Sequence, residues 1–286
     1  MRCVFAMSSP IVGGVPGVKQ FIYEVPKGIS LRSELSLRKL KFASPHKLLH
    51  ELTDGRVPSI IFGRDEDGRH GNFHPAVYQR ICSNRGWAKR LEKVHTASKR
   101  SRVRADWQWK ELDCANSSDA LLMNIFRHPE VMASRQVQAV LGIELVTVPE
   151  FGFKPRTPLH GNRRDATEID MKVGDLLVEA KLTEADFQSA KSGLISRYRD
   201  LDTVFHRSDL FLRKGRQSGY QLIRGTLAAY AAECSFCVFC DARRPDLIEG
   251  SYRVMRAVRL VDLVAGSNCL PGRNSLRFFQ RTFRNS

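Results

Sequence analysis

The residues EIDMKVGDLLVEAK, 168 to 181, limit the fold more than any other stretch of this chain. Glu168 to Val173 alternates polar and apolar with period two, and Leu176 to Lys181 does so beyond Leu176. That period belongs to strands, whose successive side chains point to opposite faces. Gly174-Asp175 between them is a two-residue hairpin signal, and such a short loop fixes the register. Val173 is expected opposite Leu176, Met171 opposite Val178, and Ile169 opposite Ala180, which makes one face wholly apolar. On the other face Lys172 meets Leu177, Asp170 meets Glu179, and Glu168 meets Lys181.

Like charges directly opposed across a ladder destabilise it, so the Asp170–Glu179 pair carries a folding cost. A divalent cation between the carboxylates would remove that cost. Mg²⁺ is commonly held by one or two carboxylates, with waters and substrate phosphate completing its octahedron. Lys181 lies one step along the same face, near enough to orient a water or a phosphate oxygen. A solvated outer face with a Glu168–Lys181 ion pair is the plainer alternative. Against it, Leu-Leu-Val-Glu-Ala-Lys-Leu is an apolar run that suggests an interior strand. Interior charges are rare unless paired or metal-bound.

Asp170 followed by Glu179-x-Lys181 at the end of an apolar strand resembles the PD-(D/E)xK nucleases, the restriction-endonuclease-like superfamily. Ile169 stands where the name-giving proline would be. ELDCANSSDALLMNIFRHP (111–129), EAKLTEADF (179–187) and YQLIRGTLAAYA (220–231) resemble, in that order, a group of bacterial restriction-endonuclease-like proteins. The similarity covers most of residues 70–260. It implies an α/β core with a central mixed β-sheet flanked by helices, Mg²⁺ dependence with Mn²⁺ as a substitute, and phosphodiester hydrolysis. It implies Asp170 and Glu179 as metal ligands, the Ala180 carbonyl as a further one, and Lys181 as the residue that positions the attacking water. The superfamily often adds an acid from the helix before the sheet. Asp119 is the nearest match, with Glu144 and Glu150 as rivals, although an acid at a helix start is more often structural. Gln221 resembles the glutamine that exonuclease-like members place near the metal.

Composition points the same way. Lys plus Arg number 46 against 30 acids, a net charge of +16 and a pI near 9.9, which suits a polyanionic partner. The expected partner is nucleic acid, DNA before RNA, with a homodimer left open. No 18-residue apolar run argues for a membrane span. Seven cysteines, with no export signal recognised at MRCVFAMSSP, fit a reducing cytoplasm.

Two regions are expected: an N-terminal arm with a basic, partly helical accessory region over 1–104, and the nuclease-like domain over 105–286. Residues 1–30 are Gly/Pro-rich and read as a loose arm, 45–53 as weak helix, and 63–72 as turns. Helix is expected over 75–100, broken near Ser83–Gly86. Between 80 and 110 ten Lys/Arg face two acids, interleaved with Trp87, Trp107 and Trp109. Nucleic-acid contact and a solvated helix face with core tryptophans explain that pattern equally well. Helix is expected from Ser117-Ser118-Asp119 to about Phe126 and again to Leu141, strand over 142–148, and loop over 151–165. Further helices are expected over 186–206 and 218–234, and a strand over 237–242.

Arg163, Arg164, Arg197, Arg199 and Arg243 are candidate phosphate contacts. Asp241, Arg243 and Arg244 read equally as a site at a strand end and as a salt-bridged turn. Cys234-x2-Cys237-x2-Cys240 invites a metal cluster, but a strand would send Cys237 and Cys240 to opposite faces. His70-x3-His74 sits among Gly71, Asn72 and Pro75, which argue for a loop rather than a zinc-binding helix. The reading that fits best is a Mg²⁺-dependent nuclease. A non-catalytic nucleic-acid binder that keeps the same fold is the alternative.

Overall fold

The hairpin forms with the register that its two-residue loop dictates. In a computed structural model of the chain, Val173 pairs with Leu176, Lys172 with Leu177 and Met171 with Val178. The structure describes residues 27–53, 57–94, 110–143 and 147–259, and the backbone of 278–283. Most of the proposed arm, Trp107, Trp109 and Glu144 lie outside the described residues.

Helix α1 (Lys27–Ala43) leads into a small hairpin of β1 (His50–Leu52) and β2 (Ile60–Phe62). Five helices follow: α2 (Pro75–Ser83), α3 (Arg85–Leu91), α4 (Ser118–Arg127), α5 (Pro129–Ala133) and α6 (Arg135–Leu141). Then come β3 (Glu150–Phe153), β4 (Thr157–Pro158), β5 (Arg164–Asp165), β6 (Ile169–Val173) and β7 (Leu176–Lys181). After β8 (Ser189–Lys191), α7 (Ser192–Ile195) and α8 (Leu201–Val204) come β9 (Leu212–Arg213) and β10 (Arg216–Ser218). Beyond these lie α9 (Tyr220–Ala231), β11 (Ser235–Asp241), α10 (Pro245–Met255) and β12 (Phe278–Phe283).

The main sheet is mixed, in the order β12-β11-β7-β6-β3. Strands β12 and β7 run parallel to β11, and β6 lies antiparallel to both β7 and β3. Strand β7 is therefore interior, as its apolar run requires. A core lies on each face. One joins Leu177, Phe236, Val238 and Cys240 to α9 and α10; the other joins Met171, Val178, Cys237 and Phe239 to α2 and α4. Cys237 and Cys240 pack in different cores, as alternation along a strand requires. His70 lies in the turn-rich segment and His74 caps α2, so the two do not share a helix face.

Several local expectations give way to long-range pairing. Residues 50–52 form β1 rather than helix, because His50 to Leu52 pairs with Ile60 to Phe62. The antiparallel neighbour of β6 is Glu150–Phe153, not 142–148: Gly142 ends α6 in the left-handed conformation at φ 67°, and residues 144–146 lie outside the described residues. The segment 186–206 is not one helix. The His160 N–H donates to the Arg197 carbonyl and the Arg199 N–H donates to that of Pro158, so these backbone groups serve a neighbouring loop instead of a helix. The expected break at 83–86 is present, and Asn84 caps α3 through its side-chain oxygen.

Candidate active site

The alternation of β6 is regular, with Ile169, Met171 and Val173 buried and Asp170 and Lys172 between them. Met171 packs in one core beside Val178, whereas Ile169 packs in the other beside Leu177. The expected Ile169–Ala180 pair is absent from the ladder, which stops at Met171–Val178. The physical cause is the Asp170 carboxylate, whose Oδ2 accepts the Ala180 N–H at 2.8 Å. That donor is the one the Ile169–Ala180 pair would use. Across from Asp170 on β3, Gly152 adopts φ 67°, and an added Cβ would stand 2.0 Å from Arg90 Nη1.

The two carboxylates still oppose each other electrostatically. Burial, then the Glu179 charge, then the Asp119 charge push the Asp170 carboxyl well above its ordinary range; Lys181 and the Ala180 N–H only partly offset this. Glu179 is buried, and its Oε1 takes a 2.7 Å bond from Lys181 Nζ. Its Oε2 is buried with no hydrogen-bond partner. Burial alone would lower the Lys181 ammonium, but Glu179, Asp170 and Glu184 outweigh it and hold it above the normal lysine range. Lys181 thus bonds Glu179 on its own strand rather than Glu168, the partner that the plainer alternative of a solvated outer face would give it.

Asp119 sits in the first turn of α4, behind the Ser117 cap, which accepts the Ala120 N–H. It is buried and bonded by Arg90 Nη2 at 2.6 Å and by Lys93 Nζ at 3.3 Å. Arg90 Nη1 reaches Glu168 Oε2 at 2.8 Å, and Lys93 meets Glu111 at 3.0 Å. Burial opposes the charge on Arg90, yet Asp119, Glu168 and Glu111 raise its pKa. Sequence reasoning placed Arg90 and Lys93 within a basic run; the structure turns them inward onto carboxylates. No local signal reveals this, because their partners lie up to 78 residues away. Trp87 of the same run packs against the core with the Arg127 guanidinium 3.5 Å from its ring centre.

Gln221 lies in the first turn of α9, with its N–H donating to the Phe187 carbonyl at 3.0 Å and its buried Oε1 unpartnered. One turn on, buried Arg224 donates to the Glu168 carbonyl at 3.2 Å. The 151–165 and 197–199 segments run side by side, with Leu159 bridging Tyr198, which brings exposed Arg163, Arg164, Arg197 and Arg199 into one neighbourhood. Arg199 is paired with Asp200, and Arg164 Nη1 donates to the Arg156 carbonyl at 3.3 Å. Arg243 stands apart, tied to Asp241 and to Glu34 of α1 at 2.7 Å each. The DARRPD turn is salt-bridged: fully buried Arg244 donates to the Leu182 and Glu184 carbonyls and pairs with Asp246. It thereby fixes the backbone that follows Lys181. A cavity of about 430 Å³ opens beside Lys181, with Lys39, Asn124, Phe239 and Arg243 among its walls.

Among the described residues, no group of three or more His, Cys, Asp or Glu side chains is gathered to hold a metal ion. The donor set here is smaller: two carboxylates and a backbone carbonyl. That set fits Mg²⁺, which keeps most of its waters and takes one or two carboxylates. The unpartnered Glu179 Oε2 and the repulsion felt by Asp170 are what a bound cation would relieve. Among the described residues no helix is long and apolar enough to cross a membrane.

No curated protein and no solved structure matches the chain. A family model does match, over residues 46–269, which include Asp119, Asp170, Glu179, Lys181 and Gln221 and span well over half of the chain. The chain belongs to the family described as Restriction Endonuclease associating with ARP, a restriction-endonuclease-like family, which suggests a nuclease.

Proposed function

We propose that the protein is a Mg²⁺-dependent nuclease that hydrolyses phosphodiester bonds in DNA, on a restriction-endonuclease-like core. The observation that carries this reading is the buried Glu179, with one oxygen on Lys181 and the other unpartnered beside Asp170. Asp170 and Glu179 would hold the metal, with the Ala180 carbonyl as a third donor. Bound there, Mg²⁺ supplies an acidified water and neutralises charge on the phosphate. Lys181 remains a cation, held so by Glu179, and this suits it to orient water and stabilise the pentavalent phosphate rather than to accept a proton. Asp119 supports the site through Arg90 and Lys93 and adds to the negative field at Asp170. The net charge of +16 favours encounter with a polyanion.

The test is cleavage of supercoiled, linear and single-stranded DNA, and of RNA, by wild type beside Lys181→Ala. Product from wild type alone, lost with chelator and restored by Mg²⁺ or Mn²⁺, supports the reading. Equal cleavage by both proteins defeats the site assignment. No cleavage by either, with salt-sensitive DNA binding by both, leaves the non-catalytic binder.

A further inference from the structure

The three-stranded sheet β8-β10-β9 is separate from the carboxylate site and carries a like-charge alignment of its own. Arg216 of β10 stands directly opposite Lys191 of β8 on one side and Arg213 of β9 on the other. All three are exposed. The β9–β10 turn is Lys214-Gly215, at φ 48° and 71°, the left-handed pair of a tight hairpin, and it adds a fourth exposed cation at the tip. Like charges directly opposed across a ladder destabilise it. Among the described residues no carboxylate pairs with any of the four, and Arg216 turns its guanidinium to Ser189, Nε to Oγ at 3.0 Å and Nη2 to the carbonyl at 2.5 Å. The row is held in place from beneath. Gln217 is buried, and its Nε2 donates to the Phe211 carbonyl at 2.8 Å. The Ser218 N–H donates to the same carbonyl at 3.1 Å. Three strands about 4.8 Å apart make a row about 10 Å long. That is roughly three base-pair rises along a duplex axis, at about 3.4 Å each.

We infer that this sheet is a second docking surface for the substrate, a sequence-independent contact for the sugar-phosphate backbone of duplex DNA. A row one cation wide matches a linear polyanion better than a flat anionic membrane. The sheet also adjoins the start of α9, since the Gln221 N–H donates to the carbonyl of Phe187, two residues before β8. The inference rests on the nuclease reading for the identity of that substrate.

The experiment uses the full chain and a 30-bp duplex, with Ca²⁺ in place of Mg²⁺ to prevent cleavage. Wild type is compared with the double variant Lys191→Gln/Arg213→Gln, which keeps Arg216 and its bonds to Ser189. Expected is affinity on the order of tenfold weaker at 0.15 M salt, and a log–log salt slope shallower by about 0.9 for each phosphate no longer neutralised. With Mg²⁺, kcat at saturating duplex stays at the wild-type value while KM rises. The melting temperature stays level or increases, because repulsion in the free protein has been relieved. Equal affinity and equal slope overturn the surface and leave the nuclease reading intact. So does a variant that no longer binds phosphatidylserine vesicles but binds duplex as wild type does. A wild type that neither binds nor cleaves duplex defeats both together.

Discussion

Two parts of this molecule bring like charges together on neighbouring strands, and they resolve the conflict differently. At the ends of β6 and β7 the charges are acidic and buried. There the ladder gives way: Asp170 takes the Ala180 N–H, and Lys181, Arg90 and Lys93 come in as counter-charges. On β8, β10 and β9 the charges are basic and exposed, and the ladder persists through them with no carboxylate partner among the described residues. The difference is one of solvent. Water screens an exposed row to a small cost, whereas burial raises the cost until backbone geometry or an internal ion must respond. On the two readings proposed above, a cation at the first and a polyanion at the second would relieve what remains of that cost.

The most damaging way to break the comparison is to remove internal compensation from the buried site. Arg90→Ala leaves Asp119 buried without its guanidinium partner and should cost about 3–5 kcal/mol, read as a lower denaturant midpoint with an unchanged m value. A midpoint equal to wild type would mean that Lys93 alone suffices. Lys181→Ala should lower kcat by about 10²–10³-fold while circular dichroism stays native. If kcat survives, the cation at this position is not used in the chemistry.

Smaller effects sharpen the contrast. Gly152→Ala puts a Cβ where φ is 67° and into Arg90, which Asp119 and Glu168 hold in place. The left-handed backbone alone costs about 1–2 kcal/mol, to be measured by thermal melting. A melting temperature at the wild-type value would show that Arg90 moves freely aside. Asp170→Asn should instead stabilise the metal-free protein at neutral pH. The folded-state carboxyl is raised above its unfolded value of about 3.9. Between those values the folded state binds a proton that the unfolded state has released. Stability from this group is therefore complete below about pH 4 and falls as pH rises. The variant should flatten that slope and abolish the rise in melting temperature that Mg²⁺ gives wild type. A slope unchanged by the substitution would place its origin elsewhere. On the exposed row the comparison predicts the weakest response: Lys191→Gln alone should leave melting unchanged and only make DNA binding less salt-sensitive.

Much of the acidic site was legible in the chain. Period-two alternation across Gly174-Asp175 specifies the hairpin, its register as far as Met171–Val178, and the interior place of β7. The acid–acid–lysine set is visible as a conflict of charges in the order of residues alone. Arg90 and Lys93 were visible only as composition, since a charge run looks alike whether it faces water or a distant carboxylate. The 186–206 segment misled for a related reason. Ile195, Tyr198, Leu201 and Val204 are buried at a spacing close to a helix, but the loop at 158–160 takes up the backbone groups between them.

Sequence by itself determined what neighbouring residues decide: caps at Ser117 and Asn84, the hairpin turn, apolar faces, and the opposition of Asp170 to Glu179. Only the tertiary structure decided which backbone donor Asp170 would take, which cations would neutralise Asp119, and that Lys191, Arg216 and Arg213 would stand in a row. Each of those depends on strands or helices far apart in the chain, and their meeting is set by the burial of two cores rather than by local periodicity.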